Sequence, residues 1–483
     1  MNLGLVVRIV AVLLSLMAAF MLIPTVVAVL VGESALLSAF LLPIGITFAG
    51  ASILFVLLRN TGRELHPKDG FLLVALSWTS AAALGATPLW LSGAVPRYVD
   101  AFFEIMSGFT TTGATILTDI ESLPRALLFW RSLSHWLGGM GIIVLTVAVF
   151  PLLGVGGMQL MKAEAPGPSV DKITPKVTQT AKILWLIYLG LTVAQTVLLL
   201  FGGMDLFDAL THTFGTLATG GFSPRAESVG YYQSAYIHIV ITVFMIMAGT
   251  NFILYYKMIT RQFTSLIRDS EFKSYVGIFA VATIAITVSL YQSGTYGSVA
   301  ESARFAGFQA ASILTTTGYA TADFSFWPNA AQVVLFTLMF FGGCAGSTGG
   351  GIKIVRIVTL AKQGFHEMKY LLHPRGVFHI SFNRTPVRKE VLYAISGFVF
   401  LYLIMLLVTS LVVASGGYDV ITSFTTALAT LGNIGPGFGL IGPAENYAFF
   451  PDYIKWFLSF VMMTGRLEVY TILILFSPAF WRT

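Results

Sequence analysis

The sequence predicts an all-α polytopic membrane protein in which four pseudo-symmetric helix–pore helix–helix repeats surround one central pore, preceded by two extra N-terminal transmembrane helices. Three observations support this fold class. Of the 483 residues, 56% are hydrophobic and only 10% are charged, with a mean hydropathy of +0.82, whereas soluble domains carry about 25% charged residues. Apolar runs of about 20 residues, the length of a membrane-spanning helix, recur along the chain. Four similar polar segments interrupt these runs.

Each polar segment lacks full charges and contains a glycine that follows a half-length apolar stretch. The segments are Thr110–Ala114, Ala218–Phe222, Thr315–Tyr319 and Gly432–Pro436. Polar backbone at membrane depth is tolerated where it is buried in protein or lines a water-filled path. Glycine allows backbone torsions that turn carbonyl groups towards a common axis, and a ring of such carbonyls can replace the water around a potassium ion. The repetition therefore predicts a potassium-selective filter formed by one chain.

The predicted filter glycines are separated by 108, 97 and 117 residues along the chain. The fourth segment diverges most, and its glycine is placed at Gly435. Ala218 and Gly220 depart from the threonine pattern, which argues against perfect fourfold symmetry. The predicted potassium-binding residues are Thr110, Thr111, Thr112, Gly113, Ala218, Thr219, Gly220, Gly221, Thr315, Thr316, Thr317, Gly318, Asn433, Ile434 and Gly435.

The chain divides into five predicted parts. Residues 1–68 form two transmembrane helices without a filter, and the four pore repeats cover residues 69–160, 161–265, 266–375 and 376–483. Each repeat contains a span, a short helix that leads into the filter segment, and a second span such as Leu127–Leu153. This gives about ten spanning and four re-entrant helices. Asp100, Asp208 and Asp419 are predicted to cap three of the short helices, whose negative ends would face the filter and favour a cation.

Positive charge indicates the orientation of the chain in the bilayer. With both termini in the cytoplasm, 21 of the 28 Lys and Arg residues lie inside and six outside, while Arg466 falls within a span. This distribution fits the positive-inside rule and puts all four filter segments at the outer face. The formal charge of +6 therefore reflects topology and not nucleic-acid binding.

A glycine-rich run interrupts the second span of the third repeat. Six glycines in eleven residues oppose helix formation, and a flexible gate loop below the filter is the favoured interpretation. The alternative is close helix packing through small residues. The predicted gate residues are Gly342, Gly343, Cys344, Ala345, Gly346, Ser347, Thr348, Gly349, Gly350, Gly351 and Arg466. The run does not match a phosphate-binding loop, and no nucleotide site was found in the chain.

Arg466 lies in the last inner span, where ionisable groups are candidates for function. It is predicted to form an electrostatic barrier below the filter; the alternative is a structural arginine paired with Glu468 or with backbone carbonyls. Asn251 and the pair Ser134–His135 are weaker candidates, in inner spans that glycine allows to bend. His366, His373 and His379 match no metal-site spacing and are read as residues of a solvated cytosolic stretch.

Four motifs resemble those of the TrkH/TrkG membrane subunits of bacterial potassium uptake systems, within the TrkH–KtrB superfamily. They are Ser107–Thr115, Trp136–Leu145, Gly342–Gly351 and Gly465–Glu468. The resemblance covers essentially the whole chain. It implies a pseudo-fourfold pore, a homodimer, and a cytosolic nucleotide-binding ring, TrkA, that controls the gate. It also implies that the four glycines line the filter and that Arg466 and the glycine-rich run obstruct the pore.

Together these observations predict potassium uptake across the bacterial inner membrane. A proton- or sodium-coupled symporter of the same topology stays open as an alternative, although few carboxylates lie within the spans. A membrane enzyme is disfavoured because no cluster of acid, base or metal-binding groups was found. A basic cytosolic stretch that begins at Lys353 suits either a regulatory partner or anionic lipid.

Overall fold

The structure, a computed structural model, describes residues 1–62, 65–141, 177–376, 380–383 and 385–482. Two long helices begin the chain: α1 (Leu3–Val31) and α2 (Leu37–Leu57). They pack on each other, and α1 also packs on the first pore repeat. Most of α2 is exposed and apolar, as expected for a helix whose outer surface meets lipid tails.

The four pore repeats follow in order. The first contains α3 (Pro67–Leu91), α4 (Tyr98–Phe109) and α5 (Arg125–Gly139). The second contains α6 (Val177–Phe201), α7 (Leu206–Ala218), α8 (Ala235–Ala248) and α9 (Phe252–Ile259), and the short α10 (Thr264–Arg268) follows it. The third contains α11 (Ser270–Gln292), α12 (Val299–Leu314), α13 (Asn329–Leu338) and α14 (Ile354–Leu372). The fourth contains α15 (Lys389–Ala414), α16 (Val420–Leu431), α17 (Asp452–Arg466), α18 (Val469–Leu473) and α19 (Pro478–Trp481).

A two-stranded antiparallel hairpin precedes the fourth repeat. Its strands are β1 (Ser381–Phe382) and β2 (Thr385–Pro386), with Ser381 opposite Pro386. Short 3₁₀ turns also occur in connections between the helices. The elements that position the predicted filter and gate are therefore helices and loops, and the hairpin is not one of them.

Six described helices are long and apolar enough to cross a membrane: α1, α2, α3, α6, α11 and α15. Two bent pairs, α8 with α9 and α17 with the segment that begins at α18, raise the number to eight. The predicted span Leu127–Leu153 leaves the described residues after Gly141. The predicted inner span of the third repeat is divided by the glycine-rich run into α13 and α14. The chain is thus a polytopic helical membrane protein, as predicted.

The short helices α4, α7, α12 and α16 form the inner ring of the fold. Each packs against the first and second helices of its own repeat. Contacts between neighbouring repeats pair α5 with α7, α8 with α12, and α17 with α4. The remaining junction joins α13 to α16 through Phe424, whose ring centre lies 6.1 Å from that of Phe336 and 6.5 Å from that of Phe340. The four repeats therefore close into a ring.

The second helices of the four repeats are only 10 to 15 residues long. The helices α5, α8, α13 and α17 stop at Gly139, Ala248, Leu338 and Arg466. The chain turns by 96° between α8 and α9 and by 120° after α17, as the mid-span glycines had suggested. A Cβ at Gly138 or Gly465 would overlap the last carbonyl of α4 or α16. Glycine therefore brings these inner helices into contact with the pore-helix ends.

Two of the three predicted helix caps are wrong. Asp419 does cap α16, accepting a hydrogen bond from the Thr422 N–H at 3.0 Å. Asp100 instead lies in the first turn of α4, where Lys455 Nζ is 2.6 Å away, and Asp208 lies in the first turn of α7. The cap of α7 is Asp205, because Asp208 is engaged by a tertiary ion pair with Arg225.

Candidate functional site: the four glycine segments and the loop beneath them

The four polar segments share one backbone conformation. In each, the glycine has a positive φ, and so does the residue two positions before it. The glycines Gly113, Gly221, Gly318 and Gly435 have φ of 81°, 82°, 81° and 93°, and the preceding residues Thr111, Thr219, Thr316 and Asn433 have φ of 52°, 55°, 59° and 53°. A left-handed threonine is uncommon, so four matching pairs indicate one repeated structure. The fourth segment is in the same register as the others, with Gly435 in the glycine position.

The segments form a closed ring of backbone contacts. A Cβ at each glycine would lie closer than 3.0 Å to a carbonyl oxygen of the following segment. Gly113 faces the oxygen of Gly220, Gly221 that of Thr317, Gly318 that of Ile434, and Gly435 that of Thr112. Real Cβ atoms do not approach so closely. Each glycine is therefore required by the carbonyl of its neighbour, and the four residues that precede the glycines bring their carbonyls into one ring.

Buried oxygen atoms lie at the level below this ring. The side chains of Thr111 and Asn433 are buried, and Thr111 Oγ1 and Asn433 Oδ1 accept no hydrogen bond from the described residues. Buried oxygens without a protein donor are unfavourable unless water or a cation satisfies them. Oxygen atoms of this kind can serve as ligands of a hard cation such as potassium.

The departures of the second segment from the threonine pattern have a structural cause. In the first segment the hydroxyls of Thr110 and Thr112 form a 2.8 Å hydrogen bond, and in the third the hydroxyls of Thr315 and Thr317 form one of 2.7 Å. Behind the second segment the ring of His135 fills this space, and a Cβ at Gly220 would collide with it. The threonine pair is absent there because an imidazole takes its place.

His135 also fixes the second segment by hydrogen bonds. Its Nδ1 donates to the Gly108 carbonyl at 2.7 Å, and its Nε2 accepts from the Phe222 N–H at 3.2 Å. One neutral tautomer satisfies both bonds. The imidazole thus joins the end of α4 to the chain that follows Gly221.

One face of the ring opens into a pocket. This is the face formed by the residues that follow the four glycines in sequence. This pocket has a volume of about 110 Å³, and all four glycines line it. Arg131, Arg225 and Glu445 also line its wall. The pocket is large enough for a few water molecules.

The glycine-rich run lies directly against the opposite end of the ring. Its Gly350 N–H donates to Thr316 Oγ1 at 2.7 Å. A Cβ at Gly350 would lie 2.6 Å from the Gly432 carbonyl oxygen, and one at Gly349 would lie 3.1 Å from that of Thr315. The loop therefore occupies the space below the ring, where the pore helices end. Gly350 has no room for a side chain, and a side chain at Gly349 would be crowded by backbone.

Backbone bonds attach the loop to the second repeat. The Cys344 N–H donates to the Gly249 carbonyl at 2.8 Å, and the Phe252 N–H donates to the Gly346 carbonyl at 3.0 Å. Asn251, a weaker candidate in the sequence, caps α9 by accepting from the Ile253 N–H at 2.9 Å. The break between α8 and α9 thus frees the backbone groups that bind the loop.

Glu271 joins the two ends of the loop. This carboxylate is 5% exposed, and its Oε1 accepts from the Ala345 N–H at 2.8 Å and from the Val355 N–H at 3.0 Å. Lys353 donates to the Gly349 carbonyl within the loop. Glu271 is not among the candidates that the sequence suggests. An acidic residue in the first turn of a helix is ordinarily explained by its favourable interaction with the helix dipole.

Arg466 binds backbone carbonyls on two sides. Its Nη1 donates to the Thr348 carbonyl at 2.6 Å, and its Nη2 donates to the carbonyls of Gly138 and Gly139 at 2.7 and 2.8 Å. The alternative pairing with Glu468 is not the one formed, since Glu468 accepts from Arg356 at 2.6 Å. Arg466 therefore joins the loop to the end of α5 through backbone carbonyls, one of the two structural pairings considered from the sequence, and the electrostatic barrier stays a prediction.

The other candidates do not assemble into a metal site. Among the described residues no three His, Cys, Asp or Glu side chains are grouped to hold an ion. Cys344, the single cysteine of the chain, is buried and forms no disulfide. His379 lies outside the described residues.

Comparison with known proteins agrees with this architecture. A family model described as "TrkH: Cation transport protein" matches residues 37–483. The chain is 42% identical over 478 residues to the Trk system potassium uptake protein TrkH of Escherichia coli K12, with 98% of each chain covered. It is 40% identical over 485 residues to the TrkH of Halomonas elongata, with 100% of each covered. The crystal structure of the potassium transporter TrkH from Vibrio parahaemolyticus superposes with a TM-score of 0.90 at 38% identity, again over 100% of both chains. The chain therefore belongs to the TrkH family of cation transport proteins.

Proposed function

We propose that this protein carries potassium ions into the cell through the ring formed by its four glycine segments. The closed ring supports the proposal: each glycine is packed against the carbonyl of the next segment, which brings four carbonyl groups together. Such a ring replaces the hydration shell of a potassium ion. The predicted filter residues, from Thr110–Gly113 through Asn433–Gly435, take the role of potassium ligands.

The division of the chain into residues 1–68 and four pore repeats belongs to the same proposal, as does a bacterial inner-membrane location with both termini in the cytoplasm. The excess of Lys and Arg on one side supports that orientation. The potassium ion is the cargo, and the chain itself binds no nucleotide.

The loop Gly342–Gly351, with Arg466, acts as the gate. It lies below the ring, and its bonds to Gly249, Glu271 and Arg466 hold it there. Glycine torsions let it move at low cost, but a ligand must prefer one position to shift the equilibrium. A TrkA-like cytosolic nucleotide-binding ring supplies that preference by docking on the basic surface after Lys353, and the transporter works as a homodimer.

The filter is tested by Gly318→Ser. A Cβ there overlaps the Ile434 carbonyl, and φ of 81° disfavours any side chain, so the ring must distort. We expect a loss of discrimination between potassium and sodium in proteoliposomes. Gly190→Ser is the control, because a Cβ at Gly190 meets nothing within 4 Å. Unchanged selectivity in folded Gly318→Ser would remove the ring from ion recognition.

The same vesicles distinguish a channel from a symporter. With the membrane potential clamped, a channel equilibrates potassium with that potential and goes no further. Accumulation beyond this limit that depends on a proton or sodium gradient would establish coupled transport.

A further inference from the structure

A buried ion pair lies beside the first two filter segments and belongs to neither the ring nor the gate. Arg131 Nε lies 2.5 Å from Glu104 Oε1, and the two side chains are 2% and 0% exposed. We propose that this pair is a positioning element that sets the separation of the first and second filter segments and thereby the selectivity for potassium over sodium. The inference rests on the proposed filter function.

The carboxylate holds the chain that leaves the first segment. Glu104 lies on α4, and its Oε2 accepts from the Ile116 N–H at 2.9 Å. The Thr115 hydroxyl lies 2.9 and 3.1 Å from the two carboxylate oxygens. Because Thr115 is two residues after Gly113, Glu104 fixes the exit of the first segment to its own pore helix.

The guanidinium holds the equivalent position of the second segment. Arg131 lies on α5 and donates from Nη1 to the Ser223 carbonyl at 2.9 Å. Its guanidinium carbon lies 3.6 Å from the centre of the Phe222 ring. Ser223 is two residues after Gly221. One arginine therefore binds Glu104 on one side and the exit of the next segment on the other.

This junction differs in chemistry from its neighbours. The second and third segments are joined where the Tyr319 hydroxyl donates to the Phe222 carbonyl at 3.2 Å. The fourth is joined to the first through Tyr447, whose hydroxyl donates to the Gly435 carbonyl at 2.6 Å and whose N–H donates to the Thr115 carbonyl at 2.7 Å. These bonds have neutral donors and acceptors, whereas the bond from Arg131 to the Ser223 carbonyl has a charged donor, and hydrogen bonds with an ionised partner are roughly twice as strong as neutral ones. The bond made by Arg131, which Glu104 orients, is therefore the strongest of these three links.

The geometry requires arginine rather than any cation. The planar guanidinium presents several donors in fixed directions, so it can bind Glu104 and Ser223 together and stack on Phe222. A lysine at this position keeps the charge that Glu104 needs, but its single ammonium cannot make these contacts at once. Arg131→Lys therefore tests the position of the second segment without leaving an unpaired buried carboxylate.

The test measures the ratio of potassium to sodium permeation in proteoliposomes, a quantity that does not depend on how much folded protein is present. We expect Arg131→Lys to lower this ratio by about tenfold, equivalent to about 1.4 kcal/mol of discrimination. The control is Arg304→Lys. It alters another Arg–Glu pair, 3.8 Å from Glu301, that belongs to neither the ring nor the gate, and should leave the ratio unchanged.

Glu104→Gln provides a second variant if Arg131→Lys does not fold. The amide retains an acceptor for Ile116 but loses the charge that orients Arg131, so the ratio should fall as well. A wild-type ratio in folded Arg131→Lys or Glu104→Gln would overturn the inference. If Gly318→Ser changes the ratio and these variants do not, the ion pair alone is excluded. If Gly318→Ser also leaves it unchanged, the filter proposal itself fails.

Discussion

Replacing Arg466 tests how the loop is kept below the ring. Its guanidinium joins the Thr348 carbonyl on the loop to the carbonyls of Gly138 and Gly139 at the end of α5, at 2.6 to 2.8 Å. Arg466→Ala removes all of these bonds. The loop then loses the connection to the end of α5 that Arg466 makes, while its bonds to Gly249 and Glu271 stay in place.

The expected magnitude follows from one of these bonds. A hydrogen bond from a charged donor contributes about 1.5–3 kcal/mol. The bond to Thr348 is the one that breaks when the loop leaves, so its loss shifts the ratio of open to closed loop by about 10- to 150-fold. We therefore expect passive potassium flux in proteoliposomes without any partner to rise by a similar factor, as long as the open state is rare in the original protein.

Arg466→Lys separates the bonds from the charge. Lysine keeps the positive charge that opposes a passing cation but lacks the fork that reaches two sides. An intermediate rise in flux indicates that the bonds hold the gate, whereas flux as low as in the original protein indicates that charge alone blocks the pore. Arg304→Ala is the control, since its ion pair with Glu301 spans 3.8 Å within α12 and involves no residue of the loop. Unchanged or lost flux in folded Arg466→Ala would refute the gate argument.

Two further predictions concern the same loop. Deletion of Gly346–Gly350 should raise basal flux and make it insensitive to the cytosolic partner and its nucleotide; a deleted protein that stays closed and still responds would place the gate elsewhere. Glu271→Ala should also raise basal flux without the partner, because the N–H groups of Ala345 and Val355 lose their shared acceptor. Glu271→Gln should raise it less, since an amide oxygen remains, and equal flux in all three proteins would show that Glu271 does not hold the loop.

Repetition made the fold and the family predictable from the sequence. Four glycine segments between apolar runs specify four equivalent units, and the family assignment and the match to a solved TrkH structure confirm the predicted fold class. The sequence also placed the glycine of the divergent fourth segment at Gly435, whose backbone has the same conformation as Gly113. These features depend on local composition and spacing, which a sequence contains directly.

Features that depend on tertiary contacts were not predictable. Asp208 resembles a helix cap until Arg225 engages it, and Glu468 is near Arg466 in sequence but pairs with Arg356 on α14. Glu104 lies within a short apolar helix and is 27 residues from Arg131. Its buried charge was a signal that could have marked it for attention, but its partner is known only once α4 and α5 are packed together.

The position of His135 behind a single filter segment has a broader consequence. A pore assembled from four identical chains would repeat each side chain four times, so any residue behind one segment would stand behind all of them. A single chain is free of this constraint. It can put an imidazole behind one quarter of the ring and a threonine pair behind another, and can place a glycine-rich loop from the third repeat alone below the ring. Four symmetry-related copies of that loop would compete for the same space. A loop contributed by a single repeat therefore requires quarters that are encoded separately.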